Sequence, residues 1–299
     1  MIPNFPDFKH IEWSDKADVE QFTNEFPPYS DFNFVSLWSW NTREKMKVSQ
    51  LHGNLVLLFY DYLTETPFLS FIGKNRLADT SNALIEYSLQ KFQVGYLKLI
   101  PEAVAVQLCQ EQFCICPDED SHDYIFSVAY LRNIGNLANA SNPAARFYKK
   151  YIRLYPHHTV KSYSRKDIPA DECIDLFKRW AKVKCLNHLE LNEYSAFVKF
   201  INNTENSNTI VAIYDGNAMI AFAAVETVST EYAIGHFLKA DKSYAGINEA
   251  MHVHVCEHLF SNSVPYWNYE QDLGIPQLRQ SKKKYKPVFY LKKFIVQKR

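Results

Sequence analysis

The chain has 299 residues, is 47% hydrophobic and 15% aromatic, and has a formal net charge of zero. That length suits one large or two medium domains, and the composition excludes a disordered or low-complexity protein. Zero net charge excludes bulk attraction to nucleic acid. The charge is unevenly placed, however: after His258 nine Lys or Arg face only Glu270 and Asp272, so the last 41 residues carry +7 and the first 258 carry −7. A basic tail of this kind can steer an anionic partner. The six cysteines (Cys109, Cys114, Cys116, Cys173, Cys185 and Cys256) form no CxxC pair, and MIPNFPDFKH lacks the apolar run of a signal peptide. Reduced thiols and a cytoplasmic location are expected. No stretch approaches the roughly 20 apolar residues of a membrane span, so no integral membrane segment is expected and membrane contact would be peripheral.

Ser14-Asp15 predicts a helix start, with the helix running to about Asn24 before Phe26-Pro27-Pro28-Tyr29 breaks it. Asp31–Asn41, DFNFVSLWSWN, is an aromatic-rich segment. Lys45–Leu51 and Leu55–Tyr60 read as strands around the turn His52-Gly53-Asn54, and Pro67–Ile72 reads as a third. Apolar spacing through Leu84, Ile85 and Leu89 predicts a helix over Thr80–Phe92. A strand at Gly95–Ile100 and a short helix at Ala103–Gln112 follow. Cys114-Ile115-Cys116 alternates as on a strand, and its thiols are expected to be buried rather than to bind a metal. Asp123–Leu131 is read as the closing strand of this half.

Arg132–Ser164 is read as a connection carrying the pair His157-His158, for which packing is expected. Helices are predicted over Ala170–Lys184 and from near Asn192 to Ile201. Strands Thr209–Tyr214 and Ala218–Val228 flank the turn Asp215-Gly216-Asn217, and Glu231–Leu238 is the next strand. Gly246–Phe260 reads as a helix. It contains His254-Val255-Cys256-Glu257-His258, an inverted zinc-protease pattern; such a site needs a third ligand from elsewhere, the only later carboxylates are Glu270 and Asp272 on the adjacent strand, and a chance match on a packed helix is the better reading. The two halves repeat in element order: the turns at 52 and 215 lie 163 residues apart. That order predicts an α+β unit with a mixed sheet flanked by helices, used twice.

Pro265–Lys293 carries the densest chemistry. Tyr266, Asn268 and Glu270 alternate with Trp267 and Tyr269, as on a strand, which puts an amide and a carboxylate on one face. Asp272 and Gly274 mark a turn, and Pro276 suits the first position of a helix. Arg279 and Lys283 then share a helix face, with Lys282 beside them. These like charges call for an anion, supplied either by Glu270 and Asp272 in an internal network or by a bound phosphate or carboxylate.

This order resembles the GNAT acyltransferase fold, used in tandem as in the Fem-type and lipid aminoacyltransferases. More specifically, the chain resembles the family built on the C-terminal domain of phosphatidylglycerol lysyltransferase. The residues that carry the resemblance are Asn268, Glu270 and Asp272-Leu273-Gly274, then Leu278-Arg279, Lys283, Tyr285 and Pro287. Lys239-Ala240, Tyr244-Ala245-Gly246, Asn33, Trp38, Trp40, Asn41 and Asp123-Tyr124 also fit. The resemblance implies two GNAT-like domains, here 1–155 and 156–299, with the site in the second. It implies Glu270 and Asp272 in catalytic roles, and Asn268, Arg279, Lys283, Tyr285, Lys239 and Tyr244 in substrate binding. The lysyltransferases use a lysyl-tRNA donor and a lipid acceptor and carry a membrane flippase domain, which has no counterpart within this sequence. Pro143–Phe147 also lacks the family's basic cluster. Lys239–Asn248, KADKSYAGIN, lacks the glycine-rich loop that coenzyme A usually needs, so no cofactor is required and the donor is left open between aminoacyl-tRNA and acyl-coenzyme A.

Two functions are consistent with these residues. One is transfer of an acyl or aminoacyl group to an amine or hydroxyl. The other is non-catalytic binding of an anionic small molecule or a nucleic-acid end.

Overall fold

Apolar runs broken by Gly, Asn and Pro turns build two mixed sheets in the computed structural model, which describes residues 1–61, 64–137, 142–183, 188–205 and 208–299 (side chains excepted at 165 and 188–191). The strands are β1 (Lys9–His10), β2 (Lys47–Leu51), β3 (Asn54–Tyr60), β4 (Pro67–Ile72), β5 (Tyr96–Pro101), β6 (Phe113–Pro117), β7 (Asp123–Ser127), β8 (Thr159–Ser164), β9 (Thr209–Asp215), β10 (Ala218–Thr227), β11 (Tyr232–Ala240), β12 (Tyr266–Asn268), β13 (Phe289–Leu291) and β14 (Lys293–Lys298). The helices are α1 (Lys16–Thr23), α2 (Phe34–Trp40), α3 (Leu77–Phe92), α4 (Glu102–Ala105), α5 (Val128–Arg132), α6 (Pro143–Leu154), α7 (Ala170–Val183), α8 (His188–Ile201), α9 (Ile247–Ser261) and α10 (Pro276–Lys283). They form two units, each with a mixed sheet flanked by helices. One unit comprises Met1–Asp123, Gln271–Ile275 and Tyr290–Arg299, and the other Tyr124–Glu270 and Pro276–Phe289.

The first sheet runs β1-β2-β3-β4-β5-β14-β6. All its pairings are antiparallel except β4 with β5, which meet in parallel at Leu69 and Leu97. Helix α3 lays Leu84 and Ile85 against Leu69, Leu97 and Val296 to form this unit's core. Asn33 caps α2 by accepting the Ser36 N–H at 2.9 Å, which makes the aromatic-rich segment a helix. β6 ends the sheet order, and there Cys114 is half-buried and Cys116 exposed. This corrects the expectation of buried thiols, because an edge strand keeps one side open.

The second sheet runs β13-β7-β12-β11-β10-β9-β8. β11 and β12 are parallel, while β7 pairs antiparallel with β12, and β8, β9, β10 and β11 pair antiparallel in turn. Helix α9 is buried from Ala250 through Cys256 without an apolar stripe, as suits a helix covered all round. It packs on β9, β10 and β11 and against α5 and α6.

Two sequence expectations are corrected here. Asp123–Leu131 is a strand only to Ser127, whose Oγ then accepts the Tyr130 N–H at 3.2 Å and starts α5. That strand lies in the second sheet, while the last strand of the chain, β14, lies in the first, so the closing strands are exchanged. The stretch read as a connection holds α6, with Asn142 as cap and Pro143 in the first turn, and β8. Cys185 and Lys184, the predicted end of α7, lie outside the described residues.

Candidate active site

The second unit opens between β11 and β12. Their parallel pairing covers only Tyr232–Ile234 and Tyr266–Asn268. On the far side of β12 the backbone bonding continues: Tyr269 N–H donates to the Tyr124 carbonyl at 2.9 Å, and Tyr124 N–H donates to the Glu270 carbonyl at 3.1 Å. β12 therefore stays bonded to β7 while it parts from β11. Asn268 causes the turn. Its buried Oδ1 accepts the Glu270 N–H at 2.8 Å, and Glu270 takes a left-handed φ of 56°. A non-glycine residue held there is strained by roughly 1–3 kcal/mol, and such residues cluster at functional sites. The strand expected to run through Glu270 thus ends at Asn268, because the asparagine side chain takes up the N–H that a ladder would have used.

Across this fork, β11 carries a bulge. Val225 pairs with Gly235 and Ala224 with Phe237, which leaves His236 as the extra residue. Bulges re-aim side chains. Here His236 Nε2 lies 3.1 Å from Glu226 Oε2, and its Nδ1 lies 3.9 Å from Glu270 Oε1. The exposures fall in sequence: Glu270 is 22% exposed, Glu226 5% and His236 0%. A half-buried carboxylate thus has an imidazole and a second carboxylate behind it, with the Phe200 ring 5.5 Å from the imidazole. This arrangement can accept, hold or relay a proton, or bind an ammonium group.

The other predicted residues fall in separate places. Lys239 is buried, paired with Glu193 at 2.6 Å, its Nζ 4.0 Å from the Trp180 ring centroid. Tyr244 donates to Asp215 at 3.0 Å. Tyr285 is buried and stacks on His252 at 3.9 Å, with its hydroxyl 3.5 Å from Glu249. Burial, then Glu249, push the Tyr285 phenol well above its ordinary pKa. Arg279 is half-buried on α10 and Lys283 is exposed there, whereas Lys282 is the buried member of the run. Lys282 Nζ donates to the Tyr269 carbonyl and lies 4.7 Å from the Tyr269 ring. Asp272 belongs to the first unit, is fully buried, and accepts the Gly274 N–H at 2.9 Å. There Gly274 has φ 69°, and a Cβ would stand 2.7 Å from Asp120 Oδ2.

Sequence reasoning missed His236 and Glu226. Their mark was present: each is a polar residue inside a largely apolar strand, AMIAFAAVET and YAIGHFLKA. It also missed Lys293 of the first unit, which is wholly buried. Lys293 Nζ lies 2.7 Å from Asp123 and also pairs with Asp31, and Ser30 Oγ donates to Asp123 at 2.6 Å. Among the described residues, no group of three or more His, Cys, Asp or Glu is placed to hold a metal ion, and no helix is long and apolar enough to cross a membrane.

The family described as "Phosphatidylglycerol lysyltransferase, C-terminal" matches residues 25–297. The chain belongs to this family. Among solved structures, it is similar over 100% of both chains to a conserved protein of unknown function from Bacteroides thetaiotaomicron, at 23% identity and a TM-score of 0.82. It is similar to the C-terminal domain of a putative lysylphosphatidylglycerol synthetase from Agrobacterium fabrum at 9% identity and a TM-score of 0.60, over 94% of this chain and 92% of that one. Its likeness to the L-PGS of Bacillus licheniformis covers 97% and 92%, at 11% identity and a TM-score of 0.59. At these identities the structures establish the fold of the lysyltransferase C-terminal family. No curated protein matches the chain.

Proposed function

We propose that the chain is an acyl- or aminoacyltransferase that acts at the fork between β11 and β12, with an amine or hydroxyl as acceptor. One observation carries this reading: Glu270, strained and partly exposed, is backed by His236 and Glu226 at a bulge beside the point where the strands part. In the reaction, the acceptor nitrogen or oxygen attacks the carbonyl carbon of an activated acyl ester or thioester. A C–N or C–O bond forms, the bond to the leaving oxygen or sulfur breaks, and the acceptor's proton passes to Glu270. His236, tied to Glu226, supports that carboxylate as the proton arrives. The 3.9 Å gap between His236 and Glu270 is one that closes when substrate binds, as catalytic hydrogen bonds often tighten only in the complex.

Arg279 and Lys283 on α10 supply positive charge for the anionic part of a donor. The start of α9 supplies backbone N–H groups for the same purpose, beside a cavity of about 250 Å³ that includes Tyr244, Gly246 and Asn248. Asn268 and Asp272 act as positioning residues through the turns they hold. The family's name supports an aminoacyl ester as donor, with an acyl thioester as the alternative.

The test is a mass-spectrometric search for acylated products when the purified chain is added to a cell extract. Product that appears with the wild type and vanishes with folded Glu270→Gln and His236→Asn supports the proposal. Retained product in both variants, or ligand affinity lost with no product ever formed, rejects catalysis; the second outcome favours a binding protein of the same fold.

A further inference from the structure

His158 follows the end of α6, and His254 lies in the middle of α9; both belong to the second unit. Their Nε2 atoms are 3.1 Å apart. The opposite nitrogen of each ring faces a group that only accepts. His158 Nδ1 lies 2.8 Å from the Tyr155 carbonyl, and His254 Nδ1 lies 2.7 Å from the Glu257 carboxylate. Both Nδ1 atoms therefore carry hydrogen, and in neutral rings both Nε2 atoms are lone pairs. Two lone pairs aimed at each other repel unless a positive centre lies between them.

We propose that His158 and His254 form a two-histidine site for a divalent late first-row metal ion such as zinc, held by the converging Nε2 atoms. Imidazole nitrogen is the ligand such ions favour over harder cations. A tetrahedral ion with bonds of about 2.0–2.1 Å holds two nitrogens about 3.3 Å apart, close to the spacing present here. The carbonyl and the carboxylate behind the rings are the partners that orient metal-bound histidines and raise their basicity. The end of α6 adds the negative pole of its helix dipole. Two protein ligands leave the other positions to water, so the site binds weakly and exchanges readily.

The arrangement is not the one suggested by the inverted zinc-protease pattern. His258, four residues on, instead has its Nε2 3.4 Å from Asn262 Nδ2. Glu257 acts behind His254 as a hydrogen-bond acceptor rather than as a ligand. His157 is exposed.

The experiment is calorimetric titration of zinc ion alone into the untagged, chelator-stripped full chain, with circular dichroism on every variant to confirm folding. One ion per chain is expected. Affinity should fall at least about tenfold in His158→Ala and in His254→Ala, and by a similar factor in Glu257→Gln, which removes the orienting charge. His258→Ala and His157→Ala should bind as the wild type does. No binding by the wild type, or binding by the His158→Ala or His254→Ala variant as tight as the wild type's, overturns the proposal. So does a nitrogen NMR spectrum in which the two rings share a single proton and do not respond to zinc.

Discussion

Glu226 Oε2 lies 3.1 Å from His236 Nε2 across adjacent strands, and neither side chain is more than 5% exposed. A carboxylate there holds the Nε2 proton, which leaves Nδ1 to face Glu270. Glu226→Gln keeps the shape and removes the charge. If the fork is a transfer site, kcat should fall about 10²–10⁴-fold, the usual contribution of a positioned acid or base, with KM little changed. Equal rates for Glu226→Gln and wild type would remove the pair from the mechanism.

Gly235 precedes the bulged histidine and lies against the indole of Trp267. A Cβ at residue 235 would stand 2.6 Å from Trp267 Nε1 and 3.1 Å from Cε2. Trp267 is fully buried and has Tyr269 edge-on at 4.9 Å, so it has little room to yield. Gly235→Ala should cost about 1–3 kcal/mol in urea unfolding, the usual cost of overpacking. It should also lower activity by shifting His236. Unchanged stability would mean that β11 and β12 separate more easily than their packing implies.

The sequence shows these elements unevenly. Local chemistry was legible: the glycine turns at 53 and 216 gave both hairpins, and the spacing of Leu84, Ile85 and Leu89 gave α3. The family motif led to Asn268 and Glu270, which the structure joins by a hydrogen bond. Long-range pairing was not legible. An alternating strand at the end of each half looks the same whichever sheet receives it, so the exchange of β7 and β14 left no mark. His236 was hidden for a related reason: the bulge that aims it depends on the register of β10, which periodicity does not carry. The run Lys282-Lys283-Lys284 shows the same limit. Charge alone ranks the three alike, and only packing makes Lys282 the buried one.

Lys293 faces two carboxylates, Asp123 and Asp31, so its site keeps one negative charge in excess. Burial opposes the lysine's charge, but the carboxylates outweigh it and its pKa is raised. For Asp31 burial is the larger effect and Lys293 the smaller, so its carboxyl is raised as well. A carboxyl raised in the folded chain adds stability below its unfolded value, near about 3.9, and loses it as pH rises through the folded value. The unfolding free energy of wild type minus that of Asp31→Asn should therefore decline as pH rises above about 4. A difference that stays flat or climbs would contradict this. Lys293→Met leaves the buried Asp123 and the partly exposed Asp31 without their cation and should cost about 3–5 kcal/mol at neutral pH.

Lys282 and Lys283 are neighbours on α10 with opposite environments. Lys282 is 5% exposed, its Nζ bonded to the Tyr269 carbonyl, with the Tyr124 and Tyr269 rings 5.7 Å and 4.7 Å away. Tyr269 precedes the strained Glu270, so Lys282 secures the backbone from which that carboxylate projects. Lys283 is exposed. Lys282→Ala should cost about 1–3 kcal/mol, because a buried carbonyl loses a charged donor. Lys283→Ala should change stability by less than about 0.5 kcal/mol. The functional readout separates them further. If Lys283 meets an anionic donor, its loss should raise KM for the donor, and added salt should shrink the difference from wild type. Lys282→Ala should lower kcat instead, through the displaced Glu270. A Lys283→Ala variant with unaltered KM at low salt would leave Arg279 as the cation to test next for the donor's charge.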